Sequence, residues 1–257
     1  MAHIISFANQ KGGVSKTTTA VNLAAGLHNK GYKVLLIDLD SQANATQATD
    51  LEGYDVRYTI TDELSGEVEL KDSIVRRDDG YDIIASDELL SGYEAQALEN
   101  WDILKSDLAA VKKEYDYIIV DTKPALGNLL LMALRASDYV VIPIEARPFA
   151  EQGLAQLNQT IQAVRKRKKP VILGILLTKF HERTVLNRLL KENLEAEAKE
   201  LNTSLFNTQI RESIAVPESQ LMKQAVVDYA PKSNPAIDYV MFTEELIRKI
   251  EGENHGK

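Results

Sequence analysis

Residues 9–18 read Asn-Gln-Lys-Gly-Gly-Val-Ser-Lys-Thr-Thr and stand between two apolar stretches. Before them runs Ile4-Ile5-Ser6-Phe7-Ala8, which has the character of a buried strand; after them runs Ala20-Val21-Asn22-Leu23-Ala24-Ala25-Gly26-Leu27, apolar at helical spacing. Strand, glycine-bearing turn and helix in that order form the setting a phosphate-binding loop requires. Gly12 and Gly13 let backbone N–H groups close around an oxyanion without Cβ obstruction. The helix N-terminus adds partial positive charge. Lys16 can reach the β- and γ-phosphates, and the Thr17 hydroxyl can ligate Mg²⁺. The expected nucleotide contacts in this stretch are Lys11, Gly12, Gly13, Val14, Ser15, Lys16, Thr17 and Thr18.

The strict pattern G-x-x-x-x-G-K-[ST] is not met. Gln10 and Ser15 occupy its two glycine positions, and an extra lysine, Lys11, precedes Lys16. If the backbone needs positive φ at Ser15, a non-glycine residue there costs about 1–2 kcal/mol.

Two further apolar runs end in acids. Lys33-Val34-Leu35-Leu36-Ile37-Asp38-Leu39-Asp40 leads into a polar, loop-like stretch, and Tyr117-Ile118-Ile119-Val120-Asp121-Thr122 has the Walker B arrangement. Carboxylates at the C-terminal ends of strands beside a phosphate loop suit Mg²⁺ or water positioning. Asp121 is therefore the expected Mg²⁺-side acid, acting through coordinated water.

The combination Lys11-Gly12-Gly13-x-x-Lys16-Thr17, with three further motifs in order downstream, resembles the deviant Walker A ATPases of the ParA/MinD family, most of all plasmid-type, Soj-like ParA proteins. The resemblance implies ATP and Mg²⁺ as cofactors, with Lys11 reaching across a dimer interface to the partner's nucleotide. Asp38-Leu39-Asp40-Ser41-Gln42-Ala43-Asn44-Ala45-Thr46 resembles the family's first switch, with Ser41 in place of proline. By that resemblance Asp40 orients the attacking water and Asp38 supports the Mg²⁺ shell. Asp121-Thr122-Lys123-Pro124-Ala125-Leu126-Gly127 resembles the second switch, with Lys123 replacing a proline. The catalytic set is then Lys11, Lys16 and Asp40, and the metal set Thr17, Asp38 and Asp121.

The same resemblance assigns Arg183, in Leu176–Thr184, to DNA contact, and sets the segments of Ile210, Arg211 and Pro231 near the adenine. Ala215 stands where chromosomal relatives carry a second DNA arginine; Arg211, Lys223 and Lys232 are the candidates to compensate. The run Arg165-Lys166-Arg167-Lys168-Lys169 reads equally as a DNA contact or as a solvated helix end favoured by the macrodipole.

Strands alternating with helices predict an α/β three-layer fold, a mostly parallel, twisted sheet between helical layers, with the site at the C-terminal strand ends. Residues 1–251 are expected to form a single domain and residues 252–257 a disordered tail. A helix is expected from about Glu88 to Glu114 with Trp101 in the core, and a final helix from Pro235 to Ile250 burying Ile237, Met241, Ile247 and Ile250. The absence of cysteine removes disulfides, thiolate metal sites and cysteine nucleophiles. Without a signal peptide or long apolar run the expected location is cytoplasmic, associated with the nucleoid. A net charge of −8 confines any nucleic-acid contact to a local patch.

The functional expectation from the resemblance is a partition ATPase. It would form a homodimer with ATP, bind double-stranded DNA without sequence preference, and hydrolyse ATP when stimulated by a ParB-like, centromere-bound partner. A MinD-like membrane ATPase is the first alternative, weakened by the lack of an apolar face in Glu251–Lys257. A metabolic ligase or kinase of the same fold, such as a dethiobiotin-synthetase relative, is the second; in it Lys11 would have no evident task.

Overall fold

The computed structural model describes residues 1–95, 101–145, 147, 152–165, 169–181 and 185–255. Strands β1 (His3–Phe7), β2 (Val34–Leu39), β3 (Ile74–Val75), β4 (Asp82–Ile84), β5 (Tyr117–Thr122), β6 (Tyr139–Glu145) and β7 (Val171–Thr178) form one sheet in the order β3-β4-β2-β5-β1-β6-β7. All neighbours are parallel except β3 against β4. The helices are α1 (Lys16–Asn29), α2 (Asn44–Gln47), α3 (Ile60–Leu64), α4 (Leu90–Glu94), α5 (Ile103–Val111), α6 (Asn128–Ala136), α7 (Gln152–Val164), α8 (Val185–Glu200), α9 (Ala215–Leu221), α10 (Val226–Tyr229) and α11 (Asn234–His255).

Strand side chains alternate between two cores, which is why the strands read as continuous apolar runs. Ile5, Phe7, Leu36, Ile119 and Val141 point to the layer containing α1 and α11. Ile4, Leu35, Ile37, Leu39, Ile118 and Val120 point to the layer containing α3, α5 and α6, and Ile142, Ile144, Ile175 and Leu177 to α7 and α8. The three-layer expectation is met. On α7, the helical spacing of Leu154, Leu157, Ile161 and Val164 marks a face that is wholly buried.

Helix α1 is buried almost all round because α11 crosses it. At the crossing a Cβ on Gly26 would lie 2.6 Å from Thr243 Oγ1. Beyond β7 the chain 204–211 continues the hydrogen-bonding pattern: Ile175 N–H donates to Ser204 O, Phe206 to Ile175, Ile210 to Leu177 and Phe180 to Ile210, at 2.8–3.0 Å.

Four expectations are corrected. The helix expected over Glu88–Glu114 is two, α4 and α5, and residues 96–100 lie outside the described set. Trp101 sits in a turn, 39 % exposed, its indole N–H donating to Asn128 Oδ1. Leu90 and Tyr93 enter the core before the break, and Leu104, Leu108 and Val111 after it, whereas Glu94 turns aside to Lys123. On α11 the buried face is Ala236, Tyr239, Phe242, Leu246 and Ile250, while Ile237 and Met241 are exposed. The aromatic residues set that rotation: Phe242 packs edge-on against Phe206, and Tyr239 OH pairs with the Thr19 hydroxyl. Finally, α11 runs through His255, so most of the expected tail is helix. Extending a helix already anchored by Leu246 and Ile250 needs no new nucleus, and Glu251 and Glu253 are good helix formers.

A nucleotide cleft at the strand ends

Register brings the acids to the loop. Phe7, the last residue of β1, pairs with Asp121, and Asp121 pairs on its other side with Asp38. The loop leaving β1 therefore lies directly over both carboxylates. It is pinned by its neighbours: Asn9 Nδ2 donates to Pro143 O at 2.7 Å, and Lys11 N–H to Asn9 Oδ1 at 3.0 Å. Gly13 has φ +75° and Ser15 φ +64°. The positive φ anticipated at Ser15 is present, in a residue with a Cβ. The Ser15 carbonyl opens α1, accepting from the Thr19 N–H and hydroxyl at 2.9 and 2.6 Å.

Lys16 is 6 % exposed, and its Nζ donates to Lys11 O at 3.2 Å. Burial lowers its pKa, against the raising effect of Asp121 and Asp40. Asp121 is fully buried, and neither of its carboxylate oxygens accepts a hydrogen bond of normal geometry. Burial raises its pKa first, then the charge of Asp38, with the nearby Thr17 hydroxyl and Lys16 working the other way. An orphaned, desolvated carboxylate beside the Thr17 hydroxyl is the donor set a hard divalent cation completes. The residues present thus fit Mg²⁺, which Thr17 and Asp121 would hold.

Asp38 is placed differently. Its Oδ2 accepts from Thr46 N–H and Oγ1, both at 2.8 Å, and its Oδ1 from Asp40 N–H at 3.2 Å. Burial raises its pKa and these three donors work against that, while the same bonds tie the segment after β2 to the strand end. Asp40 lies at the end of β2, buried, and accepts from Gln42 N–H. Pro124 of the second switch rests against Gly12, 3.9 Å from where a Cβ would sit. Lys123 forms an ion pair with Glu94 of α4, so the residue standing in for a proline anchors that loop by charge.

The cleft over these groups has a volume of about 1640 Å³ and extends from Gly13, Lys16 and Thr17 past Asp40 to Ile210, Arg211 and α9. Gln220 of α9 donates to Thr18 Oγ1 at 3.1 Å. Ile210 and Arg211, set near the adenine by the resemblance, line the cleft; Pro231 is exposed and is not among the lining residues. The Arg211 guanidinium is committed to Asp238, with contacts at 2.6 and 2.9 Å. Lys223 lines the cleft mouth and Lys232 is exposed in the turn before α11. Arg183 lies outside the described residues, as do residues 166–168 of the basic run. At the end of that run Lys169 pairs with Asp138, which also accepts from Ile4 N–H, so this point lies at the opposite end of the sheet from the cleft. Sequence reasoning missed Asn9, Thr46, Thr178 and Lys179. The last two sit at the end of β7, and the approach of that strand end to the loop is a tertiary feature with no signal of its own in the sequence.

Fold and cleft together define a phosphate-loop ATPase. A family model described as an AAA domain matches residues 2–173. The sporulation initiation inhibitor protein Soj of Bacillus subtilis is 36% identical over 252 residues, covering 96% of this chain and 98% of that one. The chromosome partitioning protein ParA of Caulobacter vibrioides is 32% identical over 254 residues, covering 96% and 94%. The chain belongs to the ParA/Soj family of ATPases. Among solved structures, a plasmid partition protein of Borrelia burgdorferi B31 bound to AMPPNP superposes with a TM-score of 0.81 at 28% identity, covering 98% of this chain and all of that one. Cobyrinic acid a,c-diamide synthase of Mycobacterium smegmatis, with bound ATP analogue and magnesium, gives 0.81 at 29%, covering 98% and 96%. ATP and Mg²⁺ are the cofactors of this cleft.

Proposed function

We propose that the protein is a DNA-partition ATPase that dimerises on ATP, binds duplex DNA without sequence preference in that state, and is released when a centromere-bound partner stimulates hydrolysis. The cargo is a plasmid, phage or chromosome, and the ATP-bound form associates with the nucleoid. The observation carrying this reading is the division of labour between two lysines of one loop. Lys16 is buried over the carboxylates, whereas Lys11 is exposed. A second loop lysine on the surface has a task when another protomer's nucleotide faces it.

In hydrolysis Lys16 neutralises charge on the phosphates, and the loop N–H groups hold them in place. Asp40 orients the attacking water. Thr17 and Asp121 would hold Mg²⁺, which when bound screens the phosphate charge. Asp38 keeps Asp40 in register through its backbone N–H.

The synthase-like structure favours a metabolic ligase as the second reading. Measuring oligomeric state and duplex-DNA binding with ATP, ADP and no nucleotide separates the two. The partition reading expects a dimer and DNA binding with ATP alone. Lys11→Ala should retain ATP and lose the dimer; Asp40→Ala should retain ATP and dimer and lose turnover. DNA binding independent of nucleotide, or a Lys11→Ala dimer as stable as the parent's, would overturn it.

A further inference from the structure

We propose that Lys179 is a third lysine serving the phosphate loop, a positioning residue that acts from outside the loop through the Gly13 carbonyl. Lys179 follows β7 directly and lines the cleft. Its Nζ donates to Gly13 O at 2.9 Å. One residue earlier, Thr178 Oγ1 donates to Val14 O at 3.2 Å. Two successive loop carbonyls are thus held by the end of one strand.

The geometry has a direct consequence for anion binding. A loop that aims its N–H groups at phosphate must turn carbonyls elsewhere, and each carbonyl needs a donor. Gly13, at φ +75°, is the residue that makes this turn. The ammonium on its carbonyl stabilises the turned conformation before nucleotide arrives. It also brings a positive charge to the cleft wall, which favours an anionic ligand.

Glu145 does not explain the placement of Lys179. Its carboxylate is 3.9 Å from Lys179 Nζ and is already paired with Arg147 at 2.6 Å. The backbone of Lys179 is itself strained, with φ +50°, a left-handed conformation that residues with a Cβ rarely adopt. The neighbouring Phe180 N–H donates to Ile210 O, so β7 links the phosphate end of the cleft to the Ile210–Arg211 end.

The inference rests on ATP binding in this cleft and is independent of DNA or partner. Its test is ATP affinity by titration calorimetry, together with amide hydrogen exchange of residues 13–15 in nucleotide-free protein. Lys179→Met should weaken ATP binding about five- to tenfold, the scale of one charge-assisted hydrogen bond, and accelerate exchange at those amides. Lys179→Arg should restore both, and matched thermal melts would show that all variants are folded. Unchanged affinity in Lys179→Met, or weakened affinity with unchanged exchange, would overturn the assignment. Lys16→Ala binding ATP normally would instead strike the cleft assignment itself, so the two failures are distinct.

Discussion

Ser15 occupies a left-handed conformation that glycine adopts without steric cost, and no side-chain hydrogen bond caps α1 there. Ser15→Gly should therefore relieve strain, offset in part by glycine's greater freedom in the unfolded chain. We expect a net stabilisation of about 0.5–1 kcal/mol, read as a melting temperature higher by about 1–4 °C. A lower melting temperature would mean that the serine makes a contact worth more than its strain. This cost was legible in the sequence, because the strict loop pattern has glycine at that place and this chain does not. Asp121 was legible for a similar reason, as an acid ending an apolar strand. Lys179 was not: a lysine after a strand is ordinary, and only the approach of β7 to the loop shows what its ammonium touches.

At the level of elements, close packing and buried charge make two measurable claims. Gly26→Ala drives a Cβ to 2.6 Å from Thr243 Oγ1, where α1 crosses α11. Overpacking of this kind costs about 1–3 kcal/mol. Adding Thr243→Ala should recover part of the loss in denaturant melts, since it removes the clashing atom, and a double variant no better than the single would refute the crossing geometry.

Glu63 of α3 is the second case. Burial, followed by a hydrogen bond with Asp107 and that residue's charge, pushes its carboxyl up to about 9. An acid whose folded pKa lies above its unfolded value binds more protons when folded. Its stabilising contribution is complete below about 4.5 and is lost as pH rises towards 9. Glu63→Gln keeps a donor for Asp107 and removes the titration. The variant should melt a few degrees above the parent at pH 8 and near it at pH 4.5; parallel pH–melting curves would contradict this. The elements themselves were largely visible in the periodicity of the sequence, α7 being the clearest. The rotation of α11 was not, because Ile237 and Met241 are as apolar as Tyr239 and Phe242, and aromatic contacts from distant segments decide between the faces.

For the whole molecule, charge governs the proposed encounter with DNA. With a net charge of −8, a protomer works against its own field, and duplication of the basic patches on dimerisation should decide affinity. If each protomer neutralises roughly three phosphates, log K should fall with log salt at a slope of about −5. Arg183→Glu and Lys223→Glu should weaken binding to all sequences alike and make the slope shallower. Anisotropy across a salt series checks this, and a sequence-dependent loss would point to base contacts instead.

The two margins of the sheet carry a further consequence. One ends in β3, two residues long and followed by Arg76 and Arg77; the other, β7, is bordered by the chain 204–211. At neither margin does the described sheet present a long row of idle amides to a neighbouring molecule. Strand-to-strand joining of one protomer to another is accordingly disfavoured at both margins, and contacts between copies are expected to run through side chains of folded protomers. Contacts of that kind can be released with each protomer still folded, whereas a splice of strand to strand could not.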